Sequence, residues 1–312
     1  MQKIIIEEDL NIRIDKFLVR NFFSDGPRAE IIRNIKEGRI LVNQKIVKPS
    51  YCLKKADLIE INLKKVPKNI QPNSEIKFGV IFQNKDFLVI NKPTGLAVHP
   101  LNFNDNQTLV NGLVAQFPEL KTVGDKSKDS KLRPGIVHRL DKETSGVMLV
   151  AKNQKTFTAL KKMFQQRKIE KKYLAWVYGQ ISPSEGIIEK ALSRSGNYKK
   201  QVIAKENSTR KSRTAVTYYK VKKNVADFSL LEVFPKTGRT HQIRIHLQSI
   251  GHPVVGDKIY KNKQLAPLSG VGRQLLHAEK ISFTLKGKKF EFQAPLPSDF
   301  SCFLKGLKNV RS

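Results

Sequence analysis

Ile136-Val137-His138-Arg139-Leu140-Asp141-Lys142-Glu143-Thr144-Ser145-Gly146 runs directly into Val147-Met148-Leu149-Val150-Ala151. The second part is an unbroken apolar run of strand length, which reads as a buried strand. The first part is a polar turn that delivers the chain into it, so the turn is held against a core. One carboxylate, Asp141, stands in that turn among Arg139, Lys142 and His138. Opposite charges a few ångströms away favour the ionised form, which suits a base or nucleophile at neutral pH. A turn acid paired to a neighbouring Arg would leave the same signature, and the residues alone do not choose between the two.

Working outward, the 312 residues carry 58 Lys plus Arg against 27 Asp plus Glu, a net charge of +31. Such an excess points to a polyanionic partner. Nucleic acid is favoured over a membrane surface, because no apolar run approaches a span and no basic amphipathic segment stands apart. The excess is carried by 43 Lys and only 15 Arg. An Arg inside a motif is therefore the more informative cation, since its planar fork is what phosphate and carboxylate recognition use. Cys52 and Cys302 are far apart and lack Cys-x-x-Cys spacing, which suggests neither a disulfide framework nor a zinc site. A cytoplasmic protein is expected, and Met1 to Glu8 lacks signal-peptide architecture.

Upstream, Ile14, Phe17 and Leu18 recur at helical spacing, as do Ile31, Ile32 and Ile35 after a break at Gly26-Pro27. Gly38 fits the stop of the second helix, and Arg39 to Asn43 begins strand-like pieces that reach Leu63. Residues 1–63 thus form a small α+β domain, and five of its residues, Arg13, Arg20, Arg28, Arg33 and Arg39, are arginines. Residues 64–78 are polar and punctuated by Pro67 and Pro72, which reads as a linker. Within residues 79–312, Val80 to Phe82 and Phe87 to Asn91 bracket a hairpin turn.

Downstream of the central turn, Asn153 is placed to cap a helix with Phe157, Leu160 and Phe164 on one face. Tyr173 to Gly179 reads as a strand. Tyr173 follows Lys171-Lys172, and a ring beside cations is suited to stacking an unpaired base near its phosphates, although a strand-end aromatic in a core looks the same. In Thr237-Gly238-Arg239-Thr240-His241-Gln242-Ile243-Arg244-Ile245-His246-Leu247, the residues Ile243, Leu247 and Ile250 fit a short helix ended by Gly251, with Arg244 projecting from its middle. The histidines there lack Cys, Asp or Glu at ligand spacing, so backbone or phosphate bonds are expected of them rather than a metal. Gly-x-x-x-x-Gly-Lys and Gly-x-Ser-x-Gly are absent, which leaves nucleotide hydrolysis and serine-hydrolase chemistry without their usual equipment.

Two resemblances follow from these stretches. Arg13 to Leu18, Ala29 to Ile32 and Gly38 to Asn43 resemble the S-four-like RNA-binding domain, departing from it at Gly26-Pro27. Asn91-Lys92-Pro93-Thr94-Gly95 with Val98-His99-Pro100, His138 to Gly146, Lys172-Tyr173, Thr237 to His246, and Leu276-His277-Ala278 with Ala294 to Pro297 resemble the RluA-type pseudouridine synthases. The subgroup most resembled is that of RluC and RluD. The resemblance implies an isomerase that turns uridine into pseudouridine, without a cofactor, on an α+β fold with a mixed, largely antiparallel sheet. It implies Asp141 as the essential carboxylate, Tyr173 stacking on the base and Arg244 paired with Asp141. Arg139 would hold a flipped-out nucleotide, Leu276 would be an apolar wall, and His138 and Arg239 would contact the substrate. The implied partner is large-subunit ribosomal RNA or a pre-ribosomal particle, met by a monomer. Two rivals stand beside this reading. A glycosidase would need a second carboxylate, with Glu143 the near one, and a non-catalytic RNA-binding assembly factor would need only the charge and the first domain.

Overall fold

A computed structural model describes residues 2–22, 28–62, 69–125, 131–196, 200–205, 211–261, 268 and 270–309. The chain divides into two compact units, Met1–Val66 and Pro67–Ser312.

In the first unit β1 (Gln2–Ile5) is followed by α1 (Ile14–Phe22), α2 (Arg28–Lys36), β2 (Ile40–Val42) and β3 (Leu58–Ile61). The three strands pair antiparallel in the order β1-β3-β2. Ile14, Leu18, Ile31 and Ile35 turn inward from the two helices onto Ile40 and Ile59, the helical period expected of them. Gly38 at φ +70° ends α2, while the break at Gly26-Pro27 lies outside the described residues. Three of the five arginines are paired within the unit rather than free. Arg13 and Arg28 both bind Asp15, at 2.9 and 2.7 Å, and Arg39 binds Glu37 at 2.8 Å. Asp15 is fully buried. Burial pushes its pKa up, but the two guanidinium partners outweigh that and hold it below the usual value.

The second unit is built on a mixed, largely antiparallel sheet. Its first elements are β4 (Gly79–Gln83), β5 (Phe87–Lys92), α3 (Leu109–Gln116), β6 (Ser145–Ala151), α4 (Gln154–Gln165) and β7 (Glu170–Tyr178). They are followed by β8 (Glu185–Glu189), β9 (Leu192–Arg194), β10 (Gln201–Ile203), β11 (Ser212–Arg213), β12 (Val216–Val225) and β13 (Phe228–Pro235). Then come α5 (Gln242–Gln248), β14 (Leu276–Leu285), β15 (Lys288–Gln293) and α6 (Ser298–Asn309). The main sheet runs β4-β5-β6-β14-β7-β13-β12-β8, with β15 also on β14, and β9, β10 and β11 form a separate small sheet. The β6–β14 pair is parallel, and the other strand pairs of this sheet among the described residues are antiparallel.

Every residue of β6 is buried, as its continuous apolar run demands. Asn153 caps α4 by accepting the Thr156 N–H at 2.9 Å, and Phe157 and Leu160 face the core. Residues 64–68 of the expected linker lie outside the described residues, and its other residues, 69–78, pack on α3 instead. Ile70 is buried, the Asn111 side chain donates to the Gln71 carbonyl at 2.7 Å, and the Asn73 amide donates to the Asn111 carbonyl at 3.0 Å. The bonds to α3 are made by the backbone of Gln71 and Asn73 while the polar side chains of the stretch stay largely exposed, so composition does not register the docking.

One pairing places the site. β6 and β14 meet only where Ser145 and Gly146 lie opposite His277 and Ala278. A side chain on Gly146, at φ +120°, would run into the Ala278 carbonyl, so glycine lets the turn's exit lie flush against β14. β7 flanks β14 on its other side, with Tyr173 opposite Ala278. The Asp141 turn, Leu276, Tyr173 and the segment leaving β13 therefore converge at the middle of the sheet.

Candidate active site

The turn bearing Asp141 is fastened from beneath. Leu140 is buried, and the Thr144 amide closes the turn on the Asp141 carbonyl at 3.1 Å. The next two carbonyls are each taken by a buried cation. Lys92 donates to the Lys142 carbonyl at 3.0 Å, and also to those of Pro93 and Leu96 at 2.7 and 2.8 Å. Burial draws the Lys92 pKa down to about 7, yet three carbonyl acceptors call for three N–H donors, which the charged ammonium supplies in full. Arg273 donates to the Glu143 carbonyl at 3.0 Å and is itself clamped by Asp299 at 2.6 and 2.9 Å. Lys92 stands in the motif Asn91 to Gly95 with no role read for it, and Arg273 stands in no motif.

Arg244 lies 103 residues further on and donates to Asp141 Oδ2 at 2.9 Å. It is 4% exposed, and its other edge is gripped by Asp257 through Nε at 2.6 Å and Nη2 at 2.9 Å. Asp257 accepts in addition the backbone N–H groups of Ile259 and Tyr260, at 2.8 and 2.9 Å. Burial opposes the charge on both partners, but their mutual bond prevails and raises the Arg244 pKa while lowering that of Asp257. Asp141 thus receives a single guanidinium N–H, and its Oδ1 is not taken up by Arg244. His241 Nε2 faces that oxygen at 4.0 Å.

α5 is aimed by its own buried polar side chains. His241 precedes it at φ +57°, a left-handed turn that histidine adopts more readily than most residues. The Gln242 side chain accepts from the Thr237 hydroxyl at 2.7 Å and the Arg239 amide at 3.0 Å, and donates to the Val216 carbonyl at 3.0 Å. His246 bonds the Thr217 hydroxyl and the Lys190 carbonyl, both at 2.9 Å, and His252 the Tyr178 carbonyl at 2.8 Å. These rings do the structural work expected of them.

A cavity lined by Asp141, Arg244, Tyr173, Leu276, Arg239 and Lys171 opens above this ion pair. Tyr173 is half-buried, and burial together with the Asp141 charge keeps its phenol protonated well above the usual range. Lys171 points to the same side, two residues away along the strand. Burial, aided by Lys236, lowers its pKa to about 8. Lys172 faces the opposite way, onto Glu279 at 2.8 Å and Glu232 at 3.3 Å, so only one of the two cations beside Tyr173 serves the cavity. Arg239 anchors by its Nε to the Thr214 carbonyl at 3.2 Å.

Arg139 is exposed at the rim and donates to His99 Nε2 at 3.4 Å. His138 lines the adjoining cavity with Arg139 and Tyr173. Its Nε2 accepts the Leu149 amide at 2.8 Å and its ring stacks on Phe164 at 4.6 Å. Burial lowers its pKa to about 3, so the ring is neutral and one of its nitrogens is committed to β6. Glu143 is not among the residues lining the Asp141 cavity, and its Oε2 meets the Thr94 hydroxyl at 3.4 Å. The second carboxylate that a glycosidase requires is therefore not offered by the nearest acid in the sequence.

Residues 86–249 match the model of the RNA pseudouridylate synthase family, and residues 12–59 that of the S4 domain. An uncharacterized RNA pseudouridine synthase of Bacillus subtilis is 34% identical over 305 residues, covering 97% of this chain and 96% of the relative. A ribosomal large subunit pseudouridine synthase C of Buchnera aphidicola is 33% identical, over 96% of this chain and 95% of its own length. A ribosomal large subunit pseudouridine synthase D of Neisseria meningitidis is 35% identical, over 95% and 79% respectively. The human RNA pseudouridylate synthase domain containing 4 protein superimposes with a TM-score of 0.59 and 25% identity, over 74% of this chain and 93% of its own.

Proposed function

We propose the following chemistry for this chain, which belongs to the RNA pseudouridylate synthase family. It isomerises uridines of large-subunit ribosomal RNA, and Asp141 is the carboxylate that does so. The reaction breaks the bond from ribose C1′ to the uracil nitrogen, turns the base and rejoins it through carbon. The proton displaced from that carbon is balanced by one gained at nitrogen, so no atom is added or lost overall. The observation that carries the assignment is the ion pair, in which Arg244 holds one oxygen of Asp141 by one N–H while the carboxylate lines the cavity. Asp141 then acts as nucleophile or base towards the ribose, and a protein-held guanidinium supports its charge without reorganising.

Tyr173 offers a protonated ring for the flipped uracil to stack on, Leu276 closes the apolar side, and Lys171, Arg139 and Arg239 receive neighbouring phosphates. His138 contributes by fixing the turn to β6, and its remaining ring edge faces the substrate path. Ribosomal RNA as the substrate rests on the relatives whose names specify the large ribosomal subunit, on the S4 domain, and on the +31 charge. A monomeric cytoplasmic enzyme acting on that RNA, free or in a pre-ribosomal particle, completes the proposal. Among the described residues no helix is long and apolar enough to cross a membrane. Asp141→Asn removes the anionic oxygen but little of the charge, so it is expected to abolish isomerisation with RNA affinity nearly unchanged. Substantial turnover by this variant would refute the assignment.

A further inference from the structure

His241 and Tyr260 form an arrangement that the ion pair does not by itself require. Tyr260 is buried, and its ring lies against the Arg244 guanidinium with the cation 5.1 Å from the ring centre. Its hydroxyl oxygen accepts the Gln201 amide at 2.8 Å and lies 2.9 Å from His241 Nδ1. An amide N–H can only donate, so the hydroxyl proton is available to the imidazole. Burial pushes the Tyr260 pKa up to about 12, so the hydroxyl keeps that proton. In the tautomer that accepts this proton at His241 Nδ1, the neutral ring carries its hydrogen on Nε2. Burial also lowers the His241 pKa, against the opposing pull of Asp141, which favours this neutral form. The Nε2–H faces Asp141 Oδ1, the oxygen not used by Arg244, at 4.0 Å.

We propose that Tyr260 and His241 are positioning residues which, through Gln201 amide to Tyr260 hydroxyl to His241 Nδ1, hold an Nε2–H donor against Asp141 Oδ1 and so distinguish the two oxygens of the carboxylate. The inference rests on Asp141 being the reacting group. At 4.0 Å the last contact is too long for a hydrogen bond, and it closes when the base enters the cavity, as catalytic contacts do between free and substrate-bound enzymes. Oδ2 is then held by Arg244 and Oδ1 is oriented by His241, so the carboxylate cannot rotate about its own axis during the reaction. Because Gln201 belongs to β10, the small sheet of β9, β10 and β11 is tied to the orientation of Asp141. That sheet also contributes Arg194 and Arg213 to a cavity that reaches Arg239.

The test is single-turnover kinetics on the full chain with a uridine-containing ribosomal RNA fragment. Tyr260→Phe removes one oxygen and leaves the ring under Arg244. It is expected to lower the saturating rate roughly tenfold, about the effect of one hydrogen bond, with the half-saturating RNA concentration unchanged. His241→Asn keeps a residue suited to the left-handed backbone but does not reach Asp141, and should lose at least as much. His241→Gln places an amide N–H about where Nε2–H lies and should be faster than His241→Asn. The double variant Tyr260→Phe/His241→Asn should be no slower than His241→Asn alone, because the two residues act in series. Wild-type saturating rates in Tyr260→Phe, equal rates in the Gln and Asn variants, or losses that multiply in the double variant would each overturn the proposal. Asp141→Asn, run alongside, separates the two levels: turnover there removes the role of Asp141 itself. An inactive Asp141→Asn beside fully active Tyr260→Phe and His241→Asn removes only the relay.

Discussion

Asp257→Asn isolates the buried half of the Asp141–Arg244–Asp257 chain. The Asp257 side chain is fully buried and bonds the guanidinium twice, at 2.6 and 2.9 Å, while also accepting two backbone N–H groups. Asparagine has the same shape but replaces one acceptor oxygen by an NH2 group, which would meet other donors head on. It also leaves the Arg244 charge with Asp141 as its sole carboxylate partner. Removing one partner of a buried, hydrogen-bonded pair costs about 3–5 kcal/mol. For a unit of this size 1 kcal/mol shifts the melting temperature by about 2–4 °C, so a fall of roughly 6–20 °C is expected. In the same variant the freed edge of Arg244 can turn onto Asp141 and take both of its oxygens, so the saturating isomerisation rate should fall with the stability.

The sign of the pH dependence is fixed by the direction of the Asp257 shift. Its pKa is lowered in the folded protein, so its contribution is fully present above the unfolded value of about 3.9. That contribution is lost as pH falls through the folded value. Urea unfolding of wild type and Asp257→Asn at pH 7 and at stepwise lower pH reads this directly, and the gap between them should shrink below about pH 4. A gap under about 1 kcal/mol at pH 7, or one that widens in acid, would refute the reasoning that Asp257 is the charge holding Arg244.

Lys92→Met should remove the three N–H donors that a fully buried side chain gives to the carbonyls of Pro93, Leu96 and Lys142; at about 1 kcal/mol for a typical hydrogen bond, denaturant unfolding should show a loss of a few kcal/mol, and a neutral midpoint would show that the clamp is dispensable. Tyr173→Ala should weaken productive RNA binding by about 1–3 kcal/mol, the worth of stacking one base, whereas Tyr173→Phe should keep that affinity; equal behaviour of the two in single-turnover assays would place the base elsewhere. Deleting residues 1–63 should weaken RNA binding and flatten its salt dependence while the saturating rate survives, because Asp141, Tyr173 and Arg244 all lie in the second unit. The flattening should be modest. Arg13, Arg28 and Arg39 are already paired with carboxylates of the same unit, so fewer phosphate contacts are expected than five arginines suggest. An unchanged salt slope would mean that this unit does not touch the RNA backbone.

The individual pieces of the site were legible in the chain because each is a local pattern. The apolar run Val147 to Ala151 demanded a buried strand, the period of Ile243, Leu247 and Ile250 demanded a short helix carrying Arg244, and Asn153 stood where a cap belongs. The cationic neighbours of Asp141 in sequence also marked it as more than a surface acid. They did not identify its partner. Arg139 lies two residues away and turns out to the rim, while the guanidinium that binds Asp141 comes from 103 residues downstream.

The family resemblance pointed to Arg244 as that partner, and what tertiary structure alone decided is which further groups hold the pair in place. Asp257 follows Gly256 in what reads as an ordinary turn, Lys92 precedes a Pro, Arg273 sits in a loop, and Tyr260 carries no period at all. Each gains its role because β6 abuts β14 and β7 flanks it, which brings chain segments from residue 92 to residue 299 under one turn. Composition misled at residues 69–78 for a related reason. The bonds that hold the stretch on α3 come from the backbone of Gln71 and Asn73, which every residue type carries alike, and only packing reveals them. Local propensity and periodicity act over about one helical turn or two strand positions, whereas a buried charge must find its partner wherever the fold brings one within about 3 Å.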